Sequence, residues 1–436
     1  MPSMFTMLFF YSFLLLTHNS PVALSVELAS PYEPKDIRIL DCSSSVLQPL
    51  RDMDNIGSLH VPITNFSVVS KVYSKEPNYG QENLQPCIHK KPFTYTFPVY
   101  PGPIFIRLHF DPFSYSGFHI SKALFSVTAT RFTLLKTSAA SYSEYRPHDP
   151  FSYTVKEFCV EVDGQVLNVT FTPSPDVSDA YAFVNKIEVV SMPSNLYIRE
   201  VVSLPLIGQP SPYYIMNLTA LEMMYRLNVG GDLIPEQEDT GMFRQWIPDV
   251  SFFTTDEIKP GIINSDVRLK QSSAMPAYVA PEQVYASART VASDASNQNG
   301  TTWLLPIDSG FYYLVRLHFC EISNEIKGVG QRVFHVYIKD QIAEDQADIF
   351  LWANGAGVPV YRDYIVDFSE HTKRRTNLSV SIQNSNGSIK TSEDSDLKRV
   401  RNFEVVRFQQ QSCRIIFIWN GEVLSLKSMD KRWSNL

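Results

Sequence analysis

Short alternations of apolar and polar residues recur along the chain and predict β-strands separated by turns. In residues 93–99, the apolar residues Phe93, Tyr95, Phe97 and Val99 alternate with Thr and Pro, and a Pro-Gly-Pro turn follows. Similar runs predict strands at residues 37–42, 124–128, 132–137, 153–162, 167–171 and 182–190. Many short strands with intervening turns indicate an all-β fold of antiparallel β-sandwiches.

One strand-like stretch occurs twice, as Phe-Ile-Arg-Leu-His-Phe at residues 105–110 and as Tyr-Leu-Val-Arg-Leu-His-Phe at residues 313–319. A second run begins at Phe125 and returns from Phe334, with the same spacing between its copies. Two segments in the same order and spacing indicate a duplicated domain. A length of 436 residues also favours two domains, because one core seldom serves so long a chain.

Strand alternation assigns the repeated stretch to two faces. We expect the apolar face of each copy to point into a core: Ile106, Leu108 and Phe110 in the first, and Val315, Leu317 and Phe319 in the second. The opposite face carries polar residues: Arg107 and His109 in the first copy, and Arg316, His318 and Cys320 in the second.

His109 and Asp111 share a strand face and could form an acid–base pair. Cys320 stands in place of Asp111 in the second copy, and the repeat assigns His109 and His318 to separate domains. We therefore interpret the repeated strand as scaffold, and expect binding residues to lie in loops and in the cleft between domains.

The order of these segments divides the chain into a signal peptide (1–25), a first domain (26–195), a connector (196–216), a second domain (217–408) and an atypical C-terminal tail (409–436). The proline-rich connector is expected to carry a short hairpin. Residues 218–225 are interpreted as a brief helical turn before a strand at 225–231. Residues 401–406 are the best candidate for the closing strand, and residues 418–423 are a rival.

The first residues predict secretion. An apolar run at residues 4–16 is followed by Ala23-Leu24-Ser25, a cleavage site of the small-x-small type. This run, and the shorter one at 415–419, fall below the roughly 20 residues that a membrane span needs. We expect a protein that is secreted or lies at the extracellular face of the plasma membrane (the apoplast), with no membrane span apart from the signal peptide.

Sequons and cysteines agree with export. The N-glycosylation candidates are Asn65, Asn168, Asn217, Asn299, Asn377 and Asn386. The disulfide candidates are Cys42, Cys87, Cys159, Cys320 and Cys413, which allow two bridges with one cysteine left over. Their spacing leaves the pairing open and fits no zinc module.

Composition and motifs narrow the function. Apolar residues make up 44% and aromatic residues 13% of the chain, enough for large cores, and the net charge of −7 argues against a general nucleic-acid binder. The sequence has no Gly-x-Ser-x-Gly, no His-Glu-x-x-His, no phosphate-binding loop and no kinase motif. We therefore expect no enzymatic activity, no catalytic residues, no metal and no cofactor.

Loop residues supply candidates for ligand binding. Aromatic rings can pack on the C–H groups of sugars, and the candidate rings are Tyr73, Tyr79, Tyr142, Tyr145, Trp246, Phe252 and Phe253. Acidic runs at 235–239 and 345–348 could attract a basic partner, and Lys373-Arg374-Arg375 an acidic one. Packed rings and solvated turns are the simpler interpretation, so ligand-binding residues are not assigned.

The chain resembles the malectin-like extracellular region of plant receptor-like kinases, the group typified by the Catharanthus roseus receptor-like kinase and FERONIA. The matching stretches span about residues 30–408: Tyr-Glu-Pro-Lys-Asp at 32–36, Leu-Asp-Cys at 40–42, residues 183–193, Tyr-Arg-Leu-Asn-Val-Gly-Gly at 225–231 and, most specific, residues 308–322. The resemblance implies two tandem malectin-like antiparallel β-sandwich domains of jelly-roll type. The tail beyond residue 409 departs from the family pattern, and we expect an ectodomain-only form, a truncated product or a mis-predicted gene.

The same resemblance implies a non-catalytic module that binds ligands outside the cell. Its implied partners are a basic signalling peptide of the rapid-alkalinization-factor type, a small lipid-anchored co-receptor, or a pectin-like glycan. The alternatives are a carbohydrate-binding lectin without a signalling role, and a soluble decoy form of a receptor kinase.

Overall fold

The computed structural model describes residues 32–42, 58–60, 86–111, 117–137, 154–197, 202–215, 219–253, 261–263, 269–270, 275–291, 300–323, 325–369, 375–384, 398–400, 403–409, 417–419 and 422–424. The predicted signal peptide lies outside the described residues, as do Cys413 and four of the sequons (Asn65, Asn217, Asn299 and Asn386). Within the described ranges, no helix has the length and apolar character needed to cross a membrane.

The described residues of the first half form strands and a short 3-10 turn at Ile120–Lys122. Its strands are β1 (Ile37–Asp41), β2 (Ser58–His60), β3 (Cys87–His89), β4 (Phe93–Pro98), β5 (Gly102–Phe110), β6 (Phe125–Ala129), β7 (Phe132–Lys136), β8 (Thr154–Val162), β9 (Val166–Pro173), β10 (Ala182–Val184) and β11 (Lys186–Ser191). The predicted strands between residues 124 and 190 therefore agree with β6 to β11.

The connector and the second half add further strands and a few short helices. The strands are β12 (Ser203–Leu204), β13 (Tyr213–Tyr214), β14 (Ala220–Asn228), β15 (Ile247–Pro248), β16 (Gly261–Ile263), β17 (Ser287–Val291), β18 (Thr301–Asp308), β19 (Phe311–Phe319), β20 (Phe334–Ile338), β21 (Gln341–Ala347), β22 (Val360–Phe368), β23 (Arg375–Asn384), β24 (Lys398–Val400), β25 (Phe403–Gln409), β26 (Phe417–Trp419) and β27 (Glu422–Leu424). The helices are α1 (Glu282–Ala286), α2 (Ile349–Ala353) and 3-10 turns at Glu236–Glu238, Val250–Phe252 and Ala277–Val279.

A single nine-stranded sheet runs through both halves, and we call it the shared sheet. Its order is β1-β11-β5-β8-β14-β25-β19-β22, with β15 pairing alongside β14. An outer sheet of order β2-β4-β9-β6-β7 belongs to the first half, and one of order β18-β23-β20-β21 belongs to the second. The chain is therefore an all-β protein of sandwich type, as the sequence predicted.

Three apolar clusters fill the structure. One lies in the first half and contains Ile106, Leu108 and Phe110 from β5. A second lies in the second half and contains Val315, Leu317 and Phe319 from β19. The prediction that these two sets point into cores is confirmed.

The third apolar cluster covers the opposite face of the shared sheet. It joins Phe105 of β5, Leu314 of β19 and Phe408 of β25 to side chains from the connector and from the loops of the second half. The repeated strands are therefore buried on both faces, and the polar residues that lie under the third apolar cluster are enclosed as well.

Residues 218–225 correct one prediction, because 220–225 form the start of strand β14 rather than a helical turn. The sequence Ala-Leu-Glu-Met-Met is rich in helix formers, but β14 pairs with β25 on one side and β8 on the other. Tertiary pairing overrides a weak local propensity here. The hairpin expected in the connector is present as β12 and β13, and β25 pairs with β14 and β19 as the closing strand.

The structure pairs two of the five candidate cysteines, because Cys42 and Cys87 form a disulfide bond. Cys159 and Cys320 are buried thiols rather than halves of a bridge. The Cys159 Sγ lies 3.2 Å from the Met192 Sδ in the third apolar cluster, and burial raises the pKa of its thiol.

Candidate functional site: a charge ladder across the shared sheet

Charged side chains of alternating sign cross the shared sheet on the face that the third apolar cluster covers. We call this row the charge ladder, and in strand order it consists of Glu188 (β11), Arg107 (β5), Glu157 (β8), Arg226 (β14), Glu404 (β25), Arg316 (β19) and Asp363 (β22). Within each half the successive members stand directly opposite one another in the strand register. All but Asp363, whose side chain is 8% exposed, belong to buried residues.

The first half contributes a carboxylate–arginine–carboxylate triplet. Arg107 donates from Nε to Glu157 Oε2 at 2.6 Å, and its Nη1 lies 3.6 Å from Glu188 Oε2. His109 Nε2 lies 3.3 Å from Glu188 Oε1, and Lys186 forms a further ion pair with Glu188. The sequence allowed a pair of His109 with Asp111 and favoured a scaffold role for the strand; the structure places His109 beside Glu188 of the neighbouring strand.

The second half repeats this triplet at greater depth. Arg316 makes a bidentate contact with Asp363, at 2.7 Å from Nε and 2.8 Å from Nη2, and donates from Nη1 to the Leu196 carbonyl at 2.6 Å. His318 lies between Glu404 and Tyr285, with Nε2 3.5 Å from Glu404 Oε2 and Nδ1 2.8 Å from the Tyr285 hydroxyl. A neutral imidazole protonated at Nε2 fits both contacts.

Arg226 joins the two triplets. Its Nη2 forms an ion pair with Glu157 of the first half, and its Nε donates to Glu404 Oε1 of the second half at 3.2 Å. The Tyr197 hydroxyl, at the start of the connector, donates to the same Glu404 oxygen at 3.1 Å. The planar guanidinium suits this two-sided contact, since its donors lie in a fixed fork.

A second set of ion pairs crosses the junction on the other face of the sheet. Lys156 is the neighbour of Glu157 on β8, and its Nζ lies 3.1 Å from Glu222 Oε1 on β14. Glu222 also pairs with Arg407 of β25, and Arg407 reaches Asp308 Oδ2 at 2.6 Å. A bulge between Met223 and Tyr225 shifts the register of β14. Glu222 and Arg226 consequently point to opposite faces.

The electrostatics of the ladder keep Glu404, Glu157 and Glu188 ionised, since the pKa of each is lowered. Burial acts to raise the pKa of Glu404, but the contact with His318 and the charges of Arg226 and Arg316 outweigh it and lower the pKa to about 2. Burial also acts to raise the pKa of Glu157, and the charges of Arg226 and Arg107 outweigh it in the same way. Burial lowers the pKa of His109 and of His318, which favours their neutral forms.

This arrangement is suited to holding strands together rather than to chemistry on a substrate. The carboxylates of the ladder contact arginine, histidine or tyrosine side chains and lie beneath the third apolar cluster. Asp111, which shares a strand face with His109 in the sequence pattern, has its pKa raised to about 6 by burial. Among the described residues, no group of three or more His, Cys, Asp and Glu side chains is placed to hold a metal ion.

Three of the seven candidate sugar-binding rings are described, and they pack inside the protein. Trp246 is fully buried and meets the His318 ring edge-on at 5.5 Å. Phe252 and Phe253 contact Tyr225 and Trp303, at ring distances of 5.3 Å in both cases. The other four rings lie outside the described residues: Tyr73, Tyr79, Tyr142 and Tyr145.

The acidic runs are partly structural as well. Asp239 is bound by Arg244 through Nε and Nη2, and both side chains are fully buried. Asp348 caps helix α2 by accepting from the Leu351 amide at 3.0 Å. Of the basic cluster, Arg375 is described and its side chain is 63% exposed, while residues 373–374 lie outside the described part.

Two sequons lie on the outer sheets. Asn168 is exposed on β9 and accepts from the Thr96 hydroxyl at 2.9 Å, and Asn377 is exposed on β23. Their modification stays a prediction.

Sequence reasoning found Arg107, His109, Arg316 and His318 but missed the carboxylates that pair with them. A signal was present, because both halves contain Glu-Val-Val on the strand beside the repeated one, starting at Glu188 and at Glu404. Arg226 gave no comparable signal, since its role depends on the pairing of β8 with β14.

Comparisons with known proteins agree with this architecture. Residues 79–392 match the family model of the malectin-like domain. The receptor-like protein kinase FERONIA of Arabidopsis thaliana is 40% identical over 350 residues, which cover 78% of this chain and 39% of FERONIA. The receptor-like protein kinase THESEUS 1 of the same plant is 31% identical, over 80% of this chain and 40% of its own length. The chain thus spans about two fifths of the length of these relatives.

Solved structures show the same relationship. A crystal structure of the plant peptide RALF23 in complex with FER and LLG2 contains a chain that is 34% identical, with a TM-score of 0.69, over 86% of this chain and 96% of that one. The extracellular domain of ANXUR1 from Arabidopsis thaliana is 29% identical, with a TM-score of 0.66, over 75% of this chain and 84% of its own.

Proposed function

The chain belongs to the malectin-like family, and from this premise we propose that it is a non-catalytic module that binds a secreted signalling peptide at the outer face of the plasma membrane. The peptide is of the basic, rapid-alkalinization type, and a small lipid-anchored co-receptor completes the complex. The observation that carries the proposal is the likeness to the FER chain in complex with RALF23 and LLG2, which extends over 86% of this chain.

The charge of the chain supports this partner. A net charge of −7 favours encounter with a basic peptide, because opposite charges steer diffusion and suppress wrong partners. The ladder carboxylates are buried and already paired, so exposed groups must provide the attraction. Glu238 on the loop before Asp239 and Asp345 on β21 are exposed acidic residues of the described part.

Calorimetric titration of the secreted, glycosylated chain tests the proposal. The titrants are a basic rapid-alkalinization-type peptide and a control peptide of the same composition in scrambled order, each with and without the co-receptor. We expect saturable binding of the native peptide that the co-receptor strengthens. Equal binding of both peptides, or binding of pectin oligomers alone, would contradict the proposal.

Carbohydrate binding is a second candidate, and the outer sheet of the second half favours it. The Tyr337 side chain on β20 stands opposite Ser381 of β23, and Ser381 is hydrogen-bonded to Thr302 at 2.8 Å. His335 precedes Tyr337 on the same face, with Nδ1 2.8 Å from Asp345 Oδ1. A partly exposed aromatic ring beside hydroxyl and carboxylate groups is the type of surface that packs on a sugar ring.

Titration with neutral and acidic wall oligosaccharides tests this second candidate. Micromolar binding that is lost on Tyr337→Ala would support it. Binding that survives this substitution would place any sugar site elsewhere.

A further inference from the structure

We propose that the ion pairs around Arg226 and Glu222 fix the angle between the two sandwiches and make them one rigid body. The proposal is independent of which ligand the chain binds. It concerns the junction between β8 and β14, where the shared sheet passes from one half to the other.

The backbone joint at this junction is narrow. Strands β8 and β14 are nine residues long each, but in the described chain they pair through two positions, Leu221 with Cys159 and Glu222 with Phe158. In contrast, β5 and β8 pair over nine positions within the first half. Two paired positions leave the twist angle between adjacent strands poorly fixed, because this angle varies by tens of degrees among β-sheets.

Side chains supply the missing constraint on both faces of the joint. Adjacent residues of β8 point in opposite directions, so Glu157 meets Arg226 on one face while Lys156 meets Glu222 on the other. Arg226 and Glu222 each continue to β25, through Glu404 and Arg407. A rotation of one half about the joint in either direction would therefore break charged contacts on at least one face.

Ion pairs are better suited to this task than the apolar contacts around them. Apolar packing is non-directional, whereas hydrogen-bonded ion pairs hold only in a narrow geometry. Replacing a buried ion network by apolar residues of similar size often leaves stability unchanged, so the network is better explained by the geometry that it selects. The Glu157, Glu222 and Glu404 side chains are at most 9% exposed, so salt screens them little.

The test measures the angle rather than stability alone. Spin labels at Thr133→Cys on β7 and Leu351→Cys on α2 report the distance between the halves by double electron–electron resonance, since both positions are exposed. Cys159 and Cys320 are buried and do not compete for label, and Cys413 is replaced by serine in every labelled chain. We expect one narrow distance distribution in the otherwise unaltered chain, and a distribution at least twice as wide in the variant Arg226→Met/Glu222→Gln.

A matched control separates orientation from general destabilisation. Arg289 and Asp249 form a buried ion pair within the second half. Arg289→Met should lower the melting temperature and leave the distance distribution narrow. Arg226→Lys, which keeps the charge but reaches one carboxylate at a time, should fold and give an intermediate width. A narrow distribution in the folded junction variants, or a broad one in the unaltered chain, would overturn the proposal.

Discussion

The two halves of the protein secure the end of their first strand by different means. In the first half, Cys42 follows β1 and is bonded to Cys87, the first residue of β3. In the second half, the turn after β14 contains Gly230, whose amide donates to Asp249 Oδ1 at 3.1 Å. A covalent bond thus anchors the chain after the first strand of one half, and a buried carboxylate anchors it in the other.

The carboxylate of Asp249 serves as a hub for its surroundings. It accepts from Arg289 at 2.8 Å and from the Trp303 indole at 2.9 Å, and Asp249 itself is fully buried. Glycine is required at position 230, because its φ is +73° and a Cβ would come within 2.3 Å of the Ala288 carbonyl oxygen. The second half therefore achieves without a disulfide what the first half does with one.

The strand beside each triplet also differs. Ile39 of β1 stands opposite Glu188, whereas Arg226 of β14 stands opposite Glu404. The duplication kept the carboxylate–arginine–carboxylate triplet and diverged at its flank, where the second half needs a cation to reach Glu157. The triplet is therefore common scaffold, and the flanking strand of the second half is specialised for joining the halves.

The largest expected effect comes from removing the arginine of the deeper triplet. Arg316→Met should destabilise the protein by about 5 kcal/mol, because it leaves Asp363 without its bidentate cation and removes one from beside Glu404. Arg107→Met should cost less, because Lys186 stays beside Glu188 and Arg226 stays beside Glu157. Chemical denaturation of both variants checks the order, and a larger loss for Arg107→Met would refute the difference in depth.

Loss of the Cys42–Cys87 disulfide should have the next largest effect on stability. Replacing Cys42 and Cys87 by alanine opens a loop with a sequence separation of 45 residues and should cost about 4 kcal/mol through the entropy of the unfolded chain. Denaturation midpoints with and without the substitution measure it. The matched control is Cys159→Ala, which leaves the bridge intact, and an equal loss in this control would show that the bridge itself contributes little.

Much of the architecture was predictable from sequence, and the reasons are local. Strand alternation and the repeated Arg-Leu-His-Phe placed β5 and β19 correctly, because burial on a core face imposes a period of two. Strand β14 was misread, since its helix-forming residues are overridden by pairing with β8 and β25. The charge ladder was not predicted, because its members come from seven strands and no spacing along the chain indicates which strands lie side by side.

Acidification should separate the two histidines of the repeat. Burial and the charge of Arg316 lower the pKa of His318, while Glu404 and Asp363 act to raise it. Trp246 and Tyr285 also pack against the His318 ring. The unfolded chain, with a histidine pKa near 6.5, then binds more protons than the folded chain, so stability falls as pH drops through that value. His318→Gln should therefore show a smaller fall in melting temperature between pH 7.5 and 5.5, a range set by the ordinary pKa of about 6.5.

His109→Gln provides the comparison within the first half. The pKa of His109 is lowered by burial too, but its side chain is 6% exposed whereas that of His318 is fully buried, so the change in pH dependence should be smaller. The raised pKa values of Asp111 and Glu236 act in the opposite direction, so the measurement is the difference between each variant and the unaltered chain. Identical pH profiles for His318→Gln and the unaltered chain would contradict the assignment of His318 as a neutral buried group.

The outer faces give the smallest effect on stability and the sharpest contrast in binding. Tyr337 occupies the place in β20 that Thr128 holds in β6, where Thr94, Thr170, Thr128 and Thr133 form a row across four strands. Exchanging the two residues, as Tyr337→Thr and Thr128→Tyr, should change stability by about 0.5 kcal/mol or less, because both side chains are partly exposed. If the aromatic ring recognises sugar, Tyr337→Thr abolishes oligosaccharide binding. Thr128→Tyr alone leaves this binding intact, because Tyr337 is unchanged, and it adds no second site, because the first face lacks a counterpart of His335. Oligosaccharide titration of both variants is decisive, because equal binding by Tyr337→Thr and the unaltered chain would remove the functional distinction between the two faces.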